Sequence, residues 1–231
     1  MPKKTLMSWS SGKDSAWALH RLRAVSDVEV VGLMTTVNQV HQRVAIHAVR
    51  LELLQRQAEA LGLPLQVIDL PSPCTNSQYE ETMEKFVDES KRCGIECMAF
   101  GDLFLADIKE YREKKLAGTG ITPLFPLWQA PTNRLAKEMI AAGLRAIITC
   151  VDPQQLPVSF AGREFNEQFL ADLPKHVDPC GERGEFHTFA FDGPMFEKSV
   201  RVEIGTILER DGFGYADLLP QAEPFEASLL I

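Results

Sequence analysis

Apolar positions along this chain follow two alternating rhythms. Mainly apolar runs at residues 5–9, 28–35, 65–70, 97–100 and 146–151 are short, and several are rich in β-branched side chains, as buried strands are. Between them the apolar residues recur at helical spacing: Leu51, Leu54, Ala58 and Leu61; Tyr79, Met83, Phe86 and Val87; Leu135, Met139 and Ala142. Each stripe marks the core-facing side of a helix, and Gly62, Gly94 and Gly143 stand where a left-handed residue would end it. Strands alternating with crossover helices predict an α/β fold with a doubly wound, mainly parallel sheet over residues 1–150.

Past residue 150 the rhythm breaks. Pro153, Pro157, Pro174 and Pro179 interrupt it, and Gly181, Gly184, Gly193, Gly205, Gly212 and Gly214 punctuate the remainder of the chain. One helix at 164–172 and two strands at 186–191 and 198–206 are the regular pieces expected there. Residues 151–231 are thus read as a smaller, loop-rich α+β part, binding the acceptor and packed on the sheet.

In a doubly wound sheet the ligand crevice lies beyond the carboxyl ends of the strands. Residues 10–15, 34–38, 71–74, 101–103 and 152 come after the five runs and are expected to converge there. The first of these segments carries the most chemistry. Ser10-Ser-Gly-Lys-Asp-Ser15 joins a strand to a helix that Asp14 or Ser15 can cap. Backbone N–H groups at the helix start, the Lys13 ammonium and the Ser10, Ser11 and Ser15 hydroxyls together suit phosphate. A Walker A loop is excluded, because Met7 stands where its first Gly belongs and Asp14 follows Lys13 in place of Ser or Thr.

Composition narrows the partners. The 231 residues are 45% hydrophobic and 24% charged, a globular balance in which 24 basic and 32 acidic residues leave a formal charge of −8. A broad nucleic-acid surface therefore lacks its usual electrostatic footprint. Met-Pro-Lys-Lys leads straight into the first strand, and no apolar run is long enough to span a bilayer, so a cytoplasmic location is expected. Cys74, Cys93, Cys97, Cys150 and Cys180 lack C-x-x-C spacing and are read as reduced thiols, with Cys93 and Cys97 straddling a helix end and a strand start rather than binding zinc.

A second cluster of chemistry lies at Asp178-Pro-Cys-Gly-Glu-Arg-Gly-Glu-Phe-His-Thr188. Gly181 and Gly184 let backbone approach a ligand, while Glu182, Glu185 and His187 supply acceptors or a proton carrier. A glycine hairpin carrying solvated glutamates is the plainer alternative for this segment.

Ser10-Ser-Gly-Lys-Asp-Ser15 resembles the PP-loop, S-x-G-x-D-S, of ATP pyrophosphatases, which split ATP between its α and β phosphates. With Phe100-Gly-Asp102, an Arg-bearing helix at Tyr111-Arg112, Pro126-Leu-Trp128 and the Gly181-Glu-Arg-Gly-Glu-Phe-His-Thr188 segment, nearly the whole chain resembles the diphthine–ammonia ligase family. The resemblance implies an adenine nucleotide α-hydrolase-like fold and an AMP-forming ligase that adenylates a carboxylate and lets ammonia displace AMP, leaving an amide. It implies ATP and ammonia as substrates and Mg2+ as a cofactor. The acceptor it implies is a small carboxylic acid or a modified protein side chain, diphthine on elongation factor 2 being the family's own.

By the same resemblance Ser10, Ser11, Gly12, Lys13, Asp14, Ser15, Met34, Gly101 and Asp102 bind the nucleotide, with adenine near residues 33–35. Asp14 and Asp102 would hold Mg2+. Lys13 and Asp14 would act in catalysis with Glu182, Glu185 and His187, these last three facing the acceptor or ammonia, and Arg112 would clamp an acceptor carboxylate. His20, His41 and His47 are weaker candidates, His47 most simply starting the second helix, and His176 carries no signal. Ser11 departs from the glycine that PP-loops often have. Larger family members carry further C-terminal domains and no glutaminase Cys-His pair is evident, so free ammonia or an external donor is expected. A nucleotide sensor without turnover and a PP-loop tRNA-modifying enzyme are the alternatives, the second disfavoured by the acidic balance and the missing C-x-x-C. A homodimer is compatible with all three readings.

Overall fold

Residues 1–38, 43–44 and 49–222 are described by the computed structural model; His41 and His47 lie outside the described residues. The chain begins β1 (Lys3–Ser8), α1 (Lys13–Arg23), β2 (Val28–Asn38), a two-residue β3 (Arg43–Val44), α2 (Leu51–Ala60), β4 (Leu65–Leu70) and α3 (Asn76–Arg92). It continues through β5 (Cys97–Ala99), α4 (Ala106–Leu116), β6 (Thr122–Leu124) and α5 (Thr132–Ala141). β4, β2, β1, β5 and β6 lie side by side and all parallel, while β3 pairs antiparallel with the end of β2. From β1 the chain first winds outward to β2 and β4, then returns to add β5 and β6 on the other side. The gap between the ends of β1 and β5 is therefore the topological switch point where such sheets bind ligands.

The helices stop where expected. Gly62, Gly94 and Gly143 come after the last turns of α2, α3 and α5 with φ of 65°, 80° and 88°. Cys93 ends α3 and Cys97 opens β5, and all five cysteines are unpaired thiols.

A second sheet holds the C-terminal part. β7 (Arg145–Val151), a 3₁₀ turn at Val158–Phe160, α6 (Glu167–Asp172), β8 (Phe186–Asp192), β9 (Val202–Arg210) and β10 (Phe213–Pro220) complete the chain, and the four strands form an antiparallel sheet in the order β8-β7-β10-β9. The run at 146–151 is thus a strand, but of this sheet and not of the parallel one. β7 is central, covered on both faces and continuously apolar, a pattern that an inner parallel strand shares. The fifth parallel strand is instead β6, at the edge, three residues with a proline in the middle, too short to show a rhythm. β9 starts and ends later than expected, and β10 has no counterpart among the expected strands, because Gly212 and Gly214 suggest loop. Its signal is nonetheless present: Asp211-Gly212, with φ of 54° and 82°, is the two-residue turn that closes a tight hairpin.

Both sheets share one core. Met7 and Leu33 of the first sheet and Trp17 of α1 belong to the same buried cluster as Ile148 and Phe186 of the second sheet and Phe165 and Phe169 beside it. Phe169 is fully buried, with ring centroids 5.7 Å from Phe160 and 5.1 Å from Phe186, both edge-on. Phe169→Ala should lower the unfolding free energy by about 3–5 kcal/mol, measured by equilibrium urea unfolding; a loss below about 1 kcal/mol would show that the cluster repacks freely.

Candidate active site

β1 ends at the switch point, and residues 10–15 turn from it into α1. The helix has Gly12 as its N-cap, which supplies no side chain to the first-turn N–H groups; of these the Lys13 N–H is met from β8 by Thr188. Asp14 and Ser15, expected as caps, lie inside the first turn instead, where the Ser15 hydroxyl donates to the Gly12 carbonyl at 2.9 Å. An uncapped first turn keeps backbone donors available to an anion. Ser11 adopts a left-handed φ of 71°, the conformation for which glycine is the usual residue, and its hydroxyl is buried without a partner. Gly101, just beyond β5, packs against the start of α1: a Cβ there would stand 3.0 Å from the Ser15 nitrogen, so a side chain would push the first turn of α1 away from the end of β5.

Two cavities meet at this turn. The larger, about 520 Å³, opens beyond β1 and β2 and runs under α3 and α4, with Met34, Thr35, Phe100, Tyr79 and Tyr111 among its walls. The smaller, about 230 Å³, is polar and is formed by Ser10, Lys13, Asp14, Ser15, Gly101 and Asp102 on one side and by Cys180, Gly181, Glu182, His187 and Thr188 on the other. Ser8, Ser10 and Arg112 border both. Residues 71–74 and Asp152 border neither. Asp152 comes directly after β7, which belongs to the other sheet, and its carboxylate accepts from Gln154 and Gln155 in its own turn.

Lys13 is only 2% exposed. Its ammonium donates to Asp14 Oδ2 at 2.9 Å and to the Cys180 carbonyl, and lies 5.3 Å and 5.6 Å from the ring centroids of Phe186 and Phe165. Burial alone would lower its pKa, but Asp14 and the neighbouring Cys180 and Glu182 outweigh that and hold it protonated. The Lys13 N–H donates to the Thr188 hydroxyl at 3.0 Å, a contact that residue types alone do not reveal.

The two glutamates of the second cluster part company. Glu185 is fully buried and borders neither cavity: its oxygens accept from the N–H groups of Asp178 at 2.9 Å and Arg183 at 2.8 Å, so it holds the loop's shape. Glu182 faces the smaller cavity, with Oε1 accepting from the Leu103 and Phe104 N–H groups at 2.8 Å and 3.3 Å. Burial pushes its carboxyl up to about 7, against the pull of the Leu103 N–H, and the nearby Asp14 adds to the rise. Gly181, with φ of 68°, is fixed by packing as much as by any ligand, since a Cβ there would stand 2.7 Å from the Phe186 carbonyl oxygen. His187 reaches the smaller cavity from β8. Cys180 is buried and its thiol pushed up, which removes it as a thiolate nucleophile.

Arg112 and Asp102 form a fork, Nε to Oδ2 at 2.6 Å and Nη2 to Oδ1 at 3.2 Å, with the guanidinium 4.2 Å from the Phe100 ring centroid. Both Asp102 oxygens are therefore committed to Arg112, and the Arg112 fork is committed to Asp102. Asp14 keeps Oδ1 buried and without a partner beside the smaller cavity. Among the described residues no three His, Cys, Asp or Glu side chains cluster as a metal site.

No helix among the described residues is long and apolar enough to cross a membrane. Family comparison matches residues 3–122 to the diphthamide synthase N-terminal domain and residues 131–219 to the diphthamide synthase C-terminal domain. Curated relatives named diphthine–ammonia ligase include the bovine protein, 29% identical over 90% of this chain and 85% of its own length, and the rat protein, 31% identical over 84% and 80%. The human protein is 28% identical over 90% of this chain and 85% of its own. With both family domains matched in order over residues 3–122 and 131–219, the chain belongs to the diphthamide synthase family.

Proposed function

We propose that this protein is an ATP-dependent ligase that adenylates the carboxylate of diphthine, or of a closely similar acceptor, and amidates it with ammonia. The observation that carries the reading is the pair of joined cavities. One of about 520 Å³ with aromatic walls suits an adenosine, and its polar neighbour at an uncapped helix start suits the phosphates. Relatives named diphthine–ammonia ligase supply the reaction class.

In the first step an acceptor carboxylate oxygen attacks the α-phosphorus, and the bond to the bridging oxygen of pyrophosphate breaks. Negative charge grows on the leaving group and on the α-phosphoryl oxygens. The Lys13 ammonium, the Asp14 and Ser15 N–H groups and the Ser10 hydroxyl are the donors placed to offset it, the Ser15 hydroxyl and the Lys13 N–H being used on the Gly12 carbonyl and on Thr188. Asp14 Oδ1, buried and partnerless, fits Mg2+, which would be held by that carboxylate together with phosphate oxygens and would supply charge neutralisation there. Asp102 serves instead to hold Arg112 where the two cavities meet. In the second step ammonia attacks the acyl carbon, the bond to AMP breaks, and the nitrogen must lose a proton. Glu182, with its carboxyl raised to about 7 and its Oε1 fixed by two N–H groups, is the base for that proton. Glu185 keeps the loop that carries Glu182 in shape.

Incubation with ATP, Mg2+, ammonium and diphthine-bearing elongation factor should yield AMP and pyrophosphate in step with amide. Release of ADP, or AMP binding with no acceptor-dependent pyrophosphate release, would overturn the ligase reading in favour of phosphoryl transfer or a sensor. Glu182→Gln should lower kcat by about 100-fold or more while the KM for ATP changes by less than about threefold. The same carboxyl sets the sign of the pH effect. It is protonated, and unable to accept, below about 7, so at constant free ammonia the wild-type rate should fall as pH drops through about 7. A Glu182→Gln profile with the same limb would acquit Glu182.

A further inference from the structure

α2 presents one polar side chain to the core. Gln57 is fully buried, and its amide joins the β1–α1 turn to β8 through three hydrogen bonds. Oε1 accepts from the Trp9 indole N–H at 2.8 Å. Nε2 donates to the Ser11 carbonyl at 3.0 Å and to the Ala190 carbonyl at 2.6 Å. The indole can only donate and the two carbonyls can only accept, so just one orientation of the amide satisfies all three, and it uses both amide hydrogens. The Ser11 carbonyl receives a second donor, the Ala190 N–H from β8, at 2.9 Å.

This arrangement decides which way one peptide plane faces. In a trans peptide the C=O and the next N–H point in opposite directions. With the Ser11 oxygen drawn toward α2 and β8 by two donors, the Gly12 N–H is turned to the other side, toward the hydroxyl of Ser10; Ser10 borders both cavities, while Ser11 and Gly12 stand behind it and border neither. Its contact with the Ser10 oxygen is 3.4 Å, at the weak end for such a bond, so the donor is not saturated. The flipped peptide would aim a carbonyl, carrying partial negative charge, at the phosphate site. Ser11 also holds a left-handed φ of 71°, a conformation that persists in a non-glycine residue only where surrounding contacts impose it.

We infer that Gln57 is a positioning residue for the phosphate site: by holding the Ser11 carbonyl away from the cavity, it presents the Gly12 N–H as a preformed donor to the pyrophosphate moiety of ATP. Gln57 borders neither cavity and touches no substrate, so its effect passes wholly through the Ser11–Gly12 peptide. The inference rests on residues 10–15 being a phosphate loop, as proposed above.

The test compares two probes, magnesium pyrophosphate and adenosine, by calorimetry on the intact protein and on Gln57→Met and Gln57→Glu. Methionine has similar length and no donor; glutamate keeps the shape but sets a second acceptor against two carbonyls. Pyrophosphate affinity should fall by about tenfold or more in both variants, the loss expected for a charge-assisted hydrogen bond, while adenosine affinity stays within about twofold. Equal weakening of both probes, or of neither, would overturn the inference and leave Gln57 as a packing residue. Failure of the wild-type protein to bind pyrophosphate would instead overturn the phosphate-loop reading itself. Should both variants fail to fold, the wild-type protein suffices: its Gly12 amide resonance should shift strongly and gain exchange protection with pyrophosphate. An unmoved Gly12 amide, beside Asp14 and Ser15 amides that respond, would equally refute the role.

Discussion

A buried ammonium group is the constraint around which this molecule is arranged. Lys13 sits at the first position of α1, out of water, and an ammonium withdrawn from water without partners costs several kcal/mol. Its compensation comes from Asp14 beside it, from the Cys180 carbonyl and from the faces of Phe165 and Phe186. All but the first lie in the C-terminal part of the chain. The turn at residues 10–15 is therefore complete only when the antiparallel sheet is docked, and the second sheet forms the floor of the smaller cavity. The same dependence runs through the backbone. The Lys13 N–H finds its acceptor on Thr188, and Glu182 closes over the amides beyond β5.

Much of this is legible in the sequence because it rests on local rules. The strand-to-helix turn at 10–15, the three helix-ending glycines and the alternation of strands with amphipathic helices each arise from a short stretch of residues obeying one geometry. The positions of β7 and of Glu185 are not legible, and for related reasons. A fully apolar strand announces burial but not the direction of its neighbours. A glutamate in a glycine-rich turn announces a carboxylate but not whether backbone N–H groups will consume it, as Asp178 and Arg183 do here. Arg112 and Asp102, each taken alone, suggest a group bound for a ligand, whereas paired across ten residues they satisfy one another.

Gln57 shows what a finer reading could extract. It stands one helical turn from Leu53, Leu54 and Leu61, inside the stripe that marks the buried side of α2. A polar amide on such a face must be met by donors and acceptors from elsewhere in the fold, since leaving it unpaired would cost on the order of 1–3 kcal/mol. The position is therefore conspicuous in the sequence even though its partners are not.

α4 carries Arg112 to the junction of the two cavities, yet of its own residues only Leu116 is buried. An element with so little apolar anchorage owes its placement to polar contacts along its length, Lys109 over Phe125 and Trp128, Arg112 with Asp102, and Lys115 with Glu80. A base in the larger cavity would steady the helix from below, and in doing so would fix the Arg112–Asp102 pair at the junction of the two cavities. The two ends of a nucleotide would then bind cooperatively, so that adenosine and pyrophosphate offered separately should together fall short of the intact molecule by more than the entropy of joining them.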